Sequence, residues 1–318
     1  MKLVLTFSFG RGNPEPWLYL KADVMLNAAD VISGRRGVER PTGVRVWVDS
    51  GGFQLLRGVV PSLSVRDVVE AQALLNPDYA VMPDDPKSPQ LCLERYREFL
   101  EVAPDVGLHA EYVPVVHTTW RSSSLRQLLE ELSFNVLAVG GVAQGLGRPF
   151  RVTAAIQLLK FLWTLRKAVG SGVKLHVLGV GGPSIMPALA ALEVSSADTA
   201  SWVHDARYGV VRVGVKAFTV KVRGCDKLPR LPLDFECSCP ACSAEPEALR
   251  SVGLRGLRAR ALHNAYSLLE VNRVVAQSPK DPASIAARLE SRGLLSRTAR
   301  ALLREVEKLE EEGADTPL

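Results

Sequence analysis

The chain has 318 residues, 47% of them apolar and 23% charged, with 39 Lys+Arg against 34 Asp+Glu and a formal net charge of +5. That length buries a large core, as one α/β barrel or two ordinary domains, and the composition is that of a soluble globular protein of enzyme size. The charge is too modest to point to nucleic acid by itself. The apolar Met1–Phe9 run is too short to span a membrane and lacks a cleavage pattern, so a cytoplasmic protein is expected.

In chain order, β-rich runs are predicted at Lys2–Ser8, Val44–Val48, Tyr79–Pro83, Tyr112–Val116, Asn135–Val139, Lys174–Leu178 and, weakly, Val210–Val213. Helical periodicity falls between them at Val65–Leu75, Pro89–Val102, Ser123–Leu132, Arg151–Val169 and Pro183–Leu192. Alternation of this kind implies a parallel sheet with crossover helices, and a count near eight favours a (β/α)8 TIM barrel over an open sheet. From about Leu231 the pattern changes to a cysteine loop followed by helices without strands. The expected organisation is a catalytic barrel core over 1–230, then a zinc-binding subdomain and C-terminal helices completing the barrel over 231–318. No repeat of solenoid period is present.

Polar residues follow the predicted strands at regular intervals. Asp49-Ser-Gly-Gly-Phe-Gln54 follows the second, Asp84-Asp85 the third, His117 the fourth, Gly140-Gly141 the fifth and Gly179-Val-Gly-Gly182 the sixth. Asp198 comes after the next helix. In a barrel these land on the C-terminal rim and form a pocket for a small flat polar ligand. Each alone has a plain structural use, as a strand end or a helix cap. Gly179-Val-Gly-Gly182 lacks the dinucleotide fingerprint and its ribose-binding acid, so no nucleotide cofactor is expected.

Cys237-Ser-Cys-Pro-Ala-Cys242 places three of five cysteines in six positions, and His263-Asn264 follows about twenty residues later. A short loop can supply three thiolates and a helix can return an imidazole, a Cys3His set that suits structural Zn2+. Cys237, Cys239, Cys242 and His263 are therefore the expected metal ligands; crowding and an odd count argue against disulfides. Cys92 and Cys225 read as core residues. Basic side chains concentrate between Arg250 and Arg304 (Arg255, Arg258, Arg260, Arg273, Lys280, Arg288, Arg292, Arg297 and Arg300 lie between them), as a solvated helix face or a phosphate-contacting surface.

Asp49-Ser-Gly-Gly-Phe-Gln54, Ala138-Val-Gly-Gly-Val142, the cysteine loop and His263-Asn264, in that order, resemble the tRNA-guanine transglycosylase superfamily over roughly Val44 to Leu268. The resemblance implies a zinc-bearing (β/α)8 barrel that exchanges guanine in a nucleic acid for a 7-deazaguanine through a covalent aspartyl-sugar intermediate. It implies Asp198 as nucleophile, Asp49 as acid/base, and Asp84 as reader of the guanine-like edge. Phe53 and Leu178 would stack on the base, Gly141 and Val142 would offer backbone groups to its carbonyl, and Arg207 would be an orienting cation. His117 stands where family members carry glutamine, as a base-binding donor or a packed histidine.

Three departures shape the expected substrate. The segment near Leu146 lacks the family's glutamate, which favours an uncharged base such as preQ0. Ser201-Trp202 replaces the usual Pro-Thr-Arg run and looks more like the branch that modifies DNA. A chain ending near residue 318 lacks the long C-terminal RNA-binding extension of archaeal position-15 enzymes, which makes extraction of a buried tRNA base doubtful. The expectation is exchange on tRNA, with DNA as the alternative substrate and a non-catalytic RNA-binding or partner-scaffolding paralogue as the alternative of another class. A homodimer and no membrane contact are expected.

Overall fold

The computed structural model describes residues 1–9, 12–34, 40–52, 63–141, 151–220 and 228–313. Nine short parallel strands form one sheet: β1 (Lys2–Thr6), β2 (Val24–Asn27), β3 (Val46–Asp49), β4 (Tyr79–Val81), β5 (Glu111–Val113), β6 (Val115–His117), β7 (Val136–Gly140), β8 (Lys174–Val177) and β9 (Ser196–Thr199). Their order is β5-β4-β3-β2-β1-β9-β8-β7-β6. The two ends, β5 and β6, are one stretch of chain interrupted at Pro114, so the sheet closes on itself as a (β/α)8 barrel.

Proline has no N–H to give to a ladder, which accounts for the break. The fully buried Tyr96 mends it. Its hydroxyl accepts from Val115 N at 3.0 Å and donates to Val115 O at 2.7 Å. The seam opposite is β1 on β9, which register Val4 with Asp198.

Period-two alternation divides each strand between two cores. Val4, Met25, Trp47, Val81, Val113, Val115 and Ala138 fill the barrel interior. Leu3, Leu5, Val24, Leu26, Val46 and Val48 face outward, against Val68 and Ala71 of the helix Val65–Leu75 and against Ala261, Ala265 and Leu268 of the long helix Gly253–Ala276. The last two helices, Pro282–Ser291 and Arg297–Glu311, add Ile285, Leu289, Leu302 and Val306 to the core under Val152–Val169 and Met186–Ala191. No helix among the described residues is long and apolar enough to cross a membrane.

Six of the seven predicted strands are present in the barrel, shifted by a residue or two. Two barrel strands, β2 and β9, do not stand out in the sequence. Val24-Met-Leu-Asn27 runs straight into the helix Ala28–Ile32, so its apolar run has no boundary of its own. Ser196-Ala-Asp-Thr199 carries small and polar residues, all four buried. Val210–Val213 is a strand but not a barrel strand: it pairs antiparallel with Lys216–Thr219 in a separate hairpin.

Candidate active site

The inward phase of the strands carries polar residues to the C-terminal mouth. On β2 and β3, Asn27 and Asp49 lie two residues beyond Met25 and Trp47 and pair in register. Asn27 Oδ1 accepts from Ala29 N at 2.9 Å and caps the following helix, which fixes the amide so that Nδ2 donates to Asp49 Oδ2 at 2.9 Å. The tight turn after Asp49 requires glycine. Gly51 has φ +93°, and a Cβ there would lie 2.6 Å from Ala29 Cβ. Burial in the mouth, then the negative charges of Asp84 and Asp198, push the Asp49 carboxyl up to about 7, against opposing hydrogen bonds from Gly51 and Ser50 N–H.

Asp84 lies just beyond β4 on a braced loop. Arg95 Nη1 donates to its carbonyl at 2.8 Å, and Asp85 Oδ1 accepts from Lys87 N and Ser88 N. His117, at the end of β6 and 2% exposed, brings Nε2 within 2.8 Å of Asp84 Oδ2. Its register partner is Gly140, where a Cβ would meet the imidazole Cε1 at 2.9 Å. Glycine there makes room for the ring. His117 is thus packed and also aimed at a carboxylate.

Asp198 sits within β9, 4% exposed. Oδ2 accepts from Thr6 Oγ1 at 2.5 Å across the barrel seam, and Oδ1 accepts from Gly179 N at 2.6 Å. Oδ1 is also 3.4 Å from Nε2 of the buried His176. Leu178 is half-buried beside the interior cluster, and Gly141 is exposed with φ +76°. Arg207 ends the helix Ser201–Arg207 and donates from Nη2 to Asn13 Oδ1 at 3.1 Å. Its described hydrogen bond is to Asn13, not to Asp198. Phe53 and Val142 lie outside the described residues, as do Leu146 and Cys225; Cys92 is fully buried, as a core residue should be.

Sequence reasoning missed Thr6, Asn27, His176 and Ser196. The available signals were a capping asparagine at the end of an apolar run and a lone histidine in the β-patterned Lys174-Leu-His-Val177.

A second cluster lies outside the barrel. One ligand atom from each of Cys237, Cys239, Cys242 and His263 falls within 4.8 Å of the others. The thiol sulfurs of Cys239 and Cys242 lie 3.5 and 3.4 Å from His263 Nδ1. A tetrahedral zinc with ordinary bond lengths sets its sulfur and nitrogen ligands about 3.5 Å apart, so the residues fit that ion. His263 Nε2 donates to Arg212 O at 2.7 Å, which turns Nδ1 toward the cysteines. The next residue, Asn264, accepts from Arg212 N and donates to Val210 O and Trp202 O, tying the cluster to the hairpin and to the helix after β9. Hydrogen bonds from Cys239 and Cys242 hold the Cys237 thiol well below its ordinary range.

Part of the basic run after Arg250 is engaged within the protein. Arg255, Arg273, Lys280 and Arg300 pair with Glu245, Glu270, Glu193 and Glu290. Arg260 is buried and donates to the carbonyls of Ala206, Leu249 and Ser251. These five already meet carboxylates or backbone carbonyls, while the same run also holds Arg258, Arg292, Arg297 and Arg304.

The family model described as queuine tRNA-ribosyltransferase matches residues 30–280. Among similar curated proteins is a tRNA-guanine(15) transglycosylase of Pyrococcus abyssi, 28% identical over 71% of this chain and 38% of that protein. Another, of Aeropyrum pernix, is 28% identical over 78% of this chain and 49% of its own length. A third, of Sulfolobus acidocaldarius, is 26% identical over 74% and 48%. The chain thus spans half or less of the length of the curated relatives it matches.

Proposed function

The chain belongs to the queuine tRNA-ribosyltransferase family, and on that premise we propose that it exchanges a guanine base in tRNA for a 7-deazaguanine, preQ0 being the best fit. The observation that carries this reading is a pair of inward carboxyls in different settings. Asp198 accepts two short hydrogen bonds, while Asp49 titrates near neutrality. Retaining base exchange needs one group to bond the sugar and another to move a proton.

In the first step Asp198 Oδ2 bonds to the anomeric carbon as the glycosidic bond breaks, and protonated Asp49 gives its proton to the departing guanine. In the second, Asp49 takes a proton from the incoming base, whose nitrogen bonds to the same carbon as the Asp198 bond breaks. A carboxyl near 7 serves both directions, because it is half-protonated at working pH. Oδ2 is the attacking oxygen because its partner is the rotatable Thr6 hydroxyl, whereas Oδ1 is held by a fixed backbone N–H.

Asp84 accepts from the ring and exocyclic N–H groups of the base, and His117, braced against it, donates to the base carbonyl. Gly141 and Val142 offer backbone contacts, Phe53 and Leu178 sandwich the ring, and Arg207 meets the nucleic acid at the rim. The base reaches this mouth only when extruded from its stack. Cys237, Cys239, Cys242 and His263 hold a structural Zn2+ that fixes the C-terminal corner of the fold. The choice of tRNA rests on the names of the relatives.

Incubation of the zinc-loaded protein with radiolabelled preQ0 and, separately, tRNA and DNA tests the reading. Acid-precipitable label in tRNA that vanishes in Asp198→Asn is the expected result. Label in DNA alone would move the substrate, and no label in either polymer would overturn the activity.

A further inference from the structure

His176 is fully buried in the barrel interior, against the apolar layer that holds Trp47. Its ring stacks on Trp47, with centroids 4.4 Å apart and planes 24° apart, and Trp47 stacks in turn on Tyr79 at 4.0 Å. Nδ1 lies 2.8 Å from Ser196 Oγ, on the strand that also carries Asp198. Among the described residues Nε2 has no hydrogen-bond partner, yet it faces Asp198 Oδ1 at 3.4 Å. A buried polar nitrogen without a partner is costly, and natural cores retain one where it has work to do.

We propose that His176 is a positioning residue for the nucleophile, donating from Nε2 to Asp198 Oδ1 as the covalent bond to the sugar forms and breaks. The inference rests on the reading of Asp198 as nucleophile. Ser196 donating its hydroxyl proton to Nδ1 fixes the tautomer with hydrogen on Nε2, and the Trp47 face fixes the plane of the ring. With Gly179 N–H and His176 Nε2–H both on Oδ1, Oδ2 is left for attack. When the sugar departs in the second step, negative charge returning to the carboxylate is met by donors already in place.

The arrangement also sorts three neighbouring carboxyls. His117 faces Asp84 and His176 faces Asp198, whereas the side chain bonded to Asp49 is the neutral amide of Asn27. Burial first, then the charges of Asp84 and Asp198, raise the Asp49 carboxyl to about 7.

The test compares His176→Phe, His176→Gln and Asp198→Asn in the zinc-loaded full chain, with labelled preQ0 and tRNA. Phenylalanine keeps the stack on Trp47 and removes both nitrogens; glutamine restores an N–H near the position of Nε2. His176→Phe is expected to lower kcat about 10- to 100-fold with KM for the base within about twofold, and His176→Gln to recover most of the loss. A folded His176→Phe variant with parental kcat, or a glutamine variant no better than phenylalanine, overturns the proposal. If Asp198→Asn is inactive while His176→Phe is unaffected, the role of His176 alone falls; exchange surviving in Asp198→Asn removes the nucleophile reading and this proposal with it. Nitrogen-15 NMR of the imidazole supplies an activity-free readout, should the phenylalanine variant fail to fold. The hydrogen is expected on Nε2, and finding it on Nδ1 alone overturns the proposal.

Discussion

Replacing Asp49 by asparagine should make stability less dependent on pH. In the folded protein the Asp49 carboxyl is raised from an ordinary 3.8 to about 7, first by burial and then by the charges of Asp84 and Asp198. A raised carboxyl favours the protonated folded state. Its stabilising effect is complete below about pH 4, where folded and unfolded chains both carry the proton, and is lost as pH climbs toward 7. The gap of about three pH units, at ~1.4 kcal/mol each, sets a ceiling of about 4 kcal/mol between pH 4 and pH 8. Partial exposure of Asp49 places the expected figure below that ceiling.

Asparagine keeps the size and can still accept from Asn27 Nδ2, but it cannot ionise. Urea unfolding followed by tryptophan fluorescence, at matched zinc and at half-unit pH steps, should show Asp49→Asn gaining stability over the parent as pH rises, then running parallel above about pH 7.5. Other titrating groups act in both proteins and cancel in the difference. Curves that stay parallel from pH 4 to pH 8 would refute the assignment of a strained, protonatable carboxyl to this position.

Asp84→Asn removes the larger of the two charges acting on Asp49, so the Asp49 midpoint, read by carbon-13 NMR, should move down from about 7. Tyr96→Phe leaves Val115 N–H without its partner at the Pro114 break and should cost about 1–3 kcal/mol in urea unfolding. Mass-spectrometric metal analysis should find one zinc per chain in the parent and none in Cys242→Ser. Chelation should lower Tm of the parent by at least about 5 °C, since structural zinc contributes directly to folding. An unchanged Tm after complete metal removal would make the Cys3His corner dispensable.

The barrel and the Cys3His corner were legible in the sequence because each has a local signature. Strand–helix alternation reports a parallel sheet, and three cysteines in six residues report a ligand loop whatever lies around them. Asp49, Asp84 and His117 were legible for a similar reason, since each closes a recognisable apolar strand. Asp198 was recognised, but not as part of a strand: Ser196-Ala-Asp-Thr199 looks like a polar loop until its neighbours β1 and β8 bury it. Thr6, Asn27 and His176 were missed because, whatever local signal Asn27 and His176 carry, their roles depend on register between distant strands. Which of the basic side chains in the C-terminal helices are paired was not legible, because some partners come from far along the chain, as Glu193 does to Lys280.

The seam between the first and last barrel strands also has a consequence for the order of folding. Thr6 and Asp198 are 192 positions apart, and the indole of Trp202, just beyond β9, donates to the Thr6 carbonyl. Contacts of such sequence separation form late, because the ring must be nearly complete before the entropy of closing it is offset. A chain that has built β2 to β8 already possesses Asn27, Asp49 and His117 in their strands and Asp84 just beyond β4, but Asp198, the proposed nucleophile, is not yet oriented. On the proposed mechanism, chemical competence should therefore return last on refolding, lagging both helical signal and compaction.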